Sequence, residues 1–171
     1  QLTLTVEGRV IHLGELSVTR DALRWNVPAR AQSACARLAD VAQLVGYEWK
    51  AVSQQSKTWE LTLYWRALDG TPTELSYTVF THLLSADGTL LAQHDGIPAS
   101  ATRPTTTWVT GEIVVDRHRL RLSREYAGRA IVQVGMYDLT EMERLLARDC
   151  TGRRLSGNSV HLTDVSIGGK Q

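Results

Sequence analysis

Residues 58–68 read TWELTLYWRAL, with Trp59, Leu61, Leu63 and Trp65 in one phase of a period-two alternation and Glu60, Thr62, Tyr64 and Arg66 in the other. Such a pattern separates an apolar face from a polar one only in an extended chain, where successive side chains point to opposite sides. The stretch is therefore predicted to be a core strand, with Trp59 and Trp65 in the core beside the leucines.

The same signal recurs on both sides. VAQLVGYEW (41–49) precedes it, and Asp69, Gly70 and Pro72 punctuate the loop that follows. YTVFTHLL (77–84) is apolar in both phases, as a central strand covered on each side would be. TLLAQHD (89–95), GEIVVD (111–116), a Gly128-led strand AIVQVGMYD with Ala130, Val132, Val134 and Met136 facing one way, RLLARDCTGRRL (144–155) and SVHLTDVSI (159–167) continue the series. LTLTVEGRVIHL (2–13) reads as a hairpin turning at Glu7-Gly8. PARAQSACARLAD (28–40) is rich in Ala and Arg without alternation, so a short helix or an irregular crossing is expected there. About ten short strands at intervals of roughly 8–15 residues predict an all-β fold, a two-sheet antiparallel β-sandwich of jelly-roll or immunoglobulin-like type with little helix. A chain of 171 residues is enough for one such domain, and no linker or repeat divides residues 1–171.

With 19 basic and 18 acidic residues the formal charge is +1, which supplies no electrostatic footprint for nucleic acid or an anionic membrane face. No run approaches the ~20 apolar residues of a spanning helix, so this stretch is expected not to insert into a membrane. The chain opens on Gln1, which is expected of a processed or excised piece of something longer. Cys35 and Cys150 are either disulfide-bonded or two unpaired thiols, and two cysteines alone do not identify the compartment.

YTVFTHLLSADGTLLAQHDGIP (77–98) carries His82, His94, Asp87 and Asp95 on a chain that folds back on itself. A two-residue turn at Asp87-Gly88 places His82 opposite Gln93, with the imidazoles on opposite faces; a three-residue loop with Gly88 left-handed places His82 opposite Ala92 and diagonal to His94. Asp116 and His118 lie at i, i+2 on one strand face, so His82, His94, Asp95, Asp116 and His118 are the candidate metal ligands. No spacing among them matches a zinc signature, and histidines and aspartates that satisfy strand ends and loop amides are the preferred reading. No G-x-S-x-G elbow, phosphate loop or dinucleotide fingerprint is present, and the acidic pairs Asp138 with Glu141 and Glu112 with Asp116 carry no separation information. No catalytic residue and no cofactor are assigned. Five tryptophans against one phenylalanine point to aromatic platforms of the kind that hold sugar rings. Trp108, after the long loop 96–107, is the ligand-binding candidate, with a plug in the end of the sandwich as its other reading. Trp25 and Trp49 are unassigned.

LTLYWRAL, YTVFTHLLSADGTLLAQHDGIP, RPTTTWVTGEIVVDRHRLRL, AGRAIVQVGMYD and ERLL, as an ordered set, resemble a known domain. It follows the membrane-spanning part of many bacterial glycosyltransferase-like proteins of the dolichyl-phosphate-mannose-protein mannosyltransferase type. The resemblance covers Val41 to Ile167 and leaves residues 1–40 outside. It departs where Ala99 to Ala101 replace an expected glycine and where Ala130 stands for an aromatic residue. It implies an extracytoplasmic β-sandwich tethered to the membrane-embedded part of a parent protein, a non-catalytic accessory or recognition module with glycan as a candidate partner. The alternatives are a purely structural or assembly domain and a metal-dependent hydrolytic site.

Overall fold

In a computed structural model, residues 2–6, 9–14, 23–53 and 57–168 are described. Among them there is no α-helix, and no helix is long and apolar enough to cross a membrane. Strands β1 (Leu2–Val6) and β2 (Arg9–Gly14) pair antiparallel from Val6–Arg9 outward, as the hairpin reading expected, while its turn residues Glu7 and Gly8 lie outside the described residues. The remaining strands are β3 (Gln32–Leu38), β4 (Ala42–Ser53), β5 (Thr58–Ala67), β6 (Thr78–Ser85), β7 (Leu90–Gly96), β8 (Ile113–Arg121), β9 (Gly128–Tyr137), β10 (Ala147–Asp149) and β11 (Val160–Ile167). They form a five-stranded sheet, β10-β3-β4-β5-β8, and a four-stranded sheet, β11-β9-β6-β7, every pair antiparallel. The sandwich predicted from alternation is thus present.

The inner faces supply one core. Leu61, Leu63 and Trp65 of β5 and Ala130, Val132, Val134 and Met136 of β9 are all fully buried, in the phases their alternation dictated. Fully burying a side chain of the size of Val, Leu or Met contributes ~1.5–3 kcal/mol, so the six positions other than Ala130 are a large part of what holds the sheets together. Trp59 is only partly buried at the rim, where it stacks on Trp49 with 6.3 Å between ring centroids. Strand β6 is central, between β9 and β7, and is covered on both faces. Its outer side carries Phe80, 2% exposed, beneath the Arg144 guanidinium at 4.3 Å from the ring centre.

The expectation for residues 28–40 needs correction. Gln32–Leu38 is a strand, hydrogen-bonded between β4 and β10, with Ala36 and Leu38 facing the core. Two of the three inward residues, Ala34 and Ala36, are alanine, so the apolar alternation that ends at Leu38 is weak, and a bulge between Ser33 and Ala36 interrupts the pairing with β4; tertiary pairing overrides local propensity. Cys35 on this strand is disulfide-bonded to Cys150 just after β10, with Cα atoms 5.6 Å apart and 115 positions between them in sequence. Closing so long a loop removes on the order of 4–5 kcal/mol of unfolded-chain entropy in the chain-entropy account.

Gly135 on β9 is required by close approach. A Cβ there would sit 2.5 Å from two carbons of the Phe80 ring and 3.2 Å from the Asn158 carbonyl oxygen. The ring cannot retreat, because Arg144 and Tyr137 enclose it. Gly135→Ala is expected to destabilise the protein by ~1–3 kcal/mol in urea unfolding; a change within ~0.5 kcal/mol, the range of an ordinary surface substitution, would contradict this packing.

Candidate functional site

The hairpin of β6 and β7 closes through three residues, Ala86-Asp87-Gly88. The Ser85 N–H donates to the Thr89 carbonyl at 2.8 Å, the Gly88 N–H donates to the Ser85 carbonyl at 2.9 Å, and Gly88 takes a φ of 84°. Hydrogen bonds from the Ser85 hydroxyl and from Thr89 hold the Asp87 carboxyl down at about 2. A three-residue loop alone would place the two histidines on one face. Instead Leu84 pairs with Leu90 but Leu83 pairs with Ala92, so Leu91 is an extra residue and the register returns to His82 opposite Gln93. The bulge exists because both Leu91 and Ala92 enter the core, at 0% and 5% exposure. The Leu91 carbonyl that it frees accepts from the Ser123 N–H and hydroxyl, each at 3.0 Å.

His82 and His94 therefore point to opposite sides of their sheet. His82 lies on the outer face beside Phe80, with ring centroids 5.0 Å apart. Asp95, adjacent to His94 in sequence, is on that outer side as well and accepts from the Tyr137 hydroxyl at 3.2 Å. His94 turns inward at the edge, where β7 of one sheet meets β8 of the other, and its Nδ1 stands 2.8 Å from Nδ1 of His118. The Nε2 of His118 lies 2.7 Å from Oδ2 of Asp116, and both residues are 1% exposed. Asp116 accepts two further bonds, from the Trp65 Nε1–H at 3.4 Å and from the Ala99 N–H at 2.8 Å. Both carboxyl oxygens are acceptors, so His118 presents its Nε2–H to Asp116 and leaves Nδ1 for His94. Burial and the neighbouring His118 lower the His94 pKa from its ordinary value, against the opposing pull of Asp116 and Asp95. Of the five candidate ligands the fold joins His94, His118 and Asp116 and separates them from His82 and Asp95. Among the described residues no group of three or more His, Cys, Asp or Glu side chains is arranged to hold a metal ion.

Asp116 also anchors a loop. Ala99, Ser100 and Ala101 have φ of 54°, 54° and 66°, a left-handed turn that costs non-glycine residues about 1 kcal/mol or more each. The turn is held by the Ala99–Asp116 bond, by the Ala101 N–H donating to the Ile97 carbonyl at 3.0 Å, and by the Thr102 hydroxyl donating to the Ala99 carbonyl at 2.7 Å. Beyond it, Glu112, fully buried, accepts from the Arg103 guanidinium at 2.6 and 2.7 Å and from the Val109 N–H at 2.7 Å. The Trp108 indole N–H donates to the Arg103 carbonyl at 2.9 Å, and the ring is 1% exposed. Trp108 presents no face to a ligand; the binding candidate is corrected to a core plug that fixes the base of this loop.

The left-handed turn forms one wall of a cleft of about 480 Å³ whose other walls are β8 and residues 23 and 24. Leu23, Ile113 and Val115 give it an apolar side, and Arg24, Arg117, Ser100 and Thr102 bring charge and hydroxyl groups. The Ile113 N–H donates to the Arg24 carbonyl at 2.6 Å, which fixes the 23–25 segment against the start of β8. The next residue, Trp25, is 54% exposed, its ring within 3.7 Å of where a Cβ on Gly111 would lie. Sequence reasoning missed Trp25, which stands in no alternating run. The inward phase of β8 carried a usable signal: Val114, Asp116, His118 and Leu120 share it, so two polar residues interrupt an apolar face. A scan against protein-family models found no match to this chain, and searches of curated proteins and of solved structures found none either.

Half-burial of His82 lowers its pKa below the ordinary 6.5, with the charge of Asp95 opposing and that of Arg144 adding to the effect. The fold thus favours neutral imidazole. The stability this contributes is fully present above the unfolded value and is lost as pH falls through 6.5 toward the lowered folded value. Denaturant unfolding at a series of pH values should show stability falling over that window, with a shallower slope in His82→Asn; identical slopes in the two proteins would contradict the assignment.

Proposed function

We propose that this chain is a non-catalytic recognition module of a membrane-associated glycosyltransferase-like protein, lying outside the cytoplasmic membrane, and that it holds a saccharide in the cleft between the left-handed turn and β8. The observation that carries the reading is a cleft lined by Ser100, Thr102, Arg24 and Arg117, with the exposed Trp25 next in sequence to Arg24 of its wall. A flat aromatic face for the apolar side of a sugar ring, with a few donors at its edge, is the combination a polyhydroxylated ligand needs. The strained turn supports it too, because backbone strain is retained where a wall has to keep one shape. The cleft wall is rigid: Asp116 holds the turn at one end, and Arg103 with Trp108 at the other. For the setting, support comes from the ordered resemblance over residues 41–167 and from the Cys35–Cys150 disulfide, which suits an oxidising compartment.

Saccharide titration followed by tryptophan fluorescence tests the reading. Among neutral and acidic oligosaccharides at least one should give a saturable change, weakened at least about tenfold, ~1.4 kcal/mol, in Trp25→Ala. A flat response across the set, or equal affinity in Trp25→Ala, would leave a structural or assembly role instead.

A further inference from the structure

We propose that His94 and His118 form a two-imidazole site for a borderline divalent transition metal of the zinc, nickel or copper class, at the edge where the two sheets meet. The two imidazoles do not line the saccharide cleft, although Asp116, which orients His118, also holds Ala99 of the cleft wall.

Four features point to metal rather than to packing alone. The two Nδ1 atoms converge to 2.8 Å from strands in different sheets, with the rings edge-on at 78°. His118 is oriented from behind, its Nε2 held by Asp116, which is the outer-shell support that a ligating histidine requires to keep one tautomer and one ring direction. Asp116 is in turn fixed by Trp65 and Ala99, so the orienting group cannot swing away. On the other side His94 is exposed, so an ion between the rings has open positions for water or an outside donor.

Two metal–nitrogen bonds of ~2.0–2.1 Å at a tetrahedral angle place the nitrogens about 3.4 Å apart, so the pair has to open by roughly half an ångström. His94 makes that adjustment, because its ring is exposed on an edge strand while His118 is locked. In the metal-free pair His94 donates its Nδ1–H to His118. On binding, that proton leaves Nδ1 for solvent and Nε2 takes one up, so each histidine stays neutral and offers an Nδ1 lone pair. With two protein ligands rather than three or four, the ion is exchangeable, and imidazole donors exclude the hard cations magnesium and calcium. An ion held there bridges β7 to β8 and closes the sandwich edge.

The test uses the untagged full chain, with zinc and magnesium chloride as probes, in thermal unfolding and equilibrium dialysis. Zinc should bind at one ion per chain and raise Tm saturably, and magnesium should do neither. The zinc effect should disappear in His94→Ala and in His94→Gln, which retains a polar group toward His118, and persist in His82→Ala on the opposite face of the same hairpin. Absence of zinc binding in the wild type, an undiminished Tm shift in either His94 variant, or its loss in His82→Ala would overturn the proposal.

Discussion

A carboxyl group buried between two sheets costs several kcal/mol unless its hydrogen bonds are complete, and Asp116 meets that constraint with bonds from three parts of the chain. His118 comes from two residues along the same strand, Trp65 from the neighbouring strand β5, and Ala99 from the loop after β7. Only the bond from His118 is local; those from Trp65 and Ala99 cross long stretches of chain. The bonds from Trp65 and Ala99 form only when β5, β8 and the loop have reached their final places, so the desolvation of one side chain selects one arrangement of the sandwich edge. The neighbouring Glu112, also fully buried, repeats the device with Arg103 and the Val109 N–H.

The two oxygens of Asp116 divide the labour. Oδ2 holds His118 and through it aligns His94 across the gap between sheets. Oδ1 holds Ala99 and with it a left-handed turn that alanine and serine adopt only at a cost. The imidazole pair on the inner side and the cleft on the outer side therefore share one fixed point, although they use different residues of β8. This is economical for an edge strand, whose unpaired side has no further strand to position it.

Sequence alternation made the strands legible where the inward residues are large. TWELTLYWRAL and AIVQVGMYD show Leu61, Leu63, Trp65, Ala130, Val132, Val134 and Met136 as inward residues through their period of two, while Trp59 lies at the rim and Thr62 and Tyr64 of the other phase are buried as well. Strand β3 was hidden because two of its three inward residues are alanine and a bulge interrupts its pairing. The hairpin turn was readable from Ser-Ala-Asp-Gly, but the bulge at Leu91 answers to core volume, a tertiary demand that turn chemistry does not encode. Trp108 stood between a face and a plug and Trp25 was unassigned for one reason: an indole outside an alternating run carries no local mark of burial, and only the packed loop decides that Trp108 is buried and Trp25 exposed. The meeting of His94 with His118 joins strands of different sheets, a contact set by topology and not by spacing.

Asp116 is the point that holds both the loop and the sheet edge. Native-state hydrogen exchange of the Ala99 amide in Asp116→Ala addresses it directly, with Val134 in the buried centre of β9 as the internal reference for any global loss of stability. Loss of the carboxyl acceptor should accelerate exchange at Ala99 by at least about tenfold more than at Val134, the equivalent of ~1.4 kcal/mol of local protection. Equal acceleration at the two amides would mean that the loop is held by its own turn and that Asp116 is merely one more buried polar group.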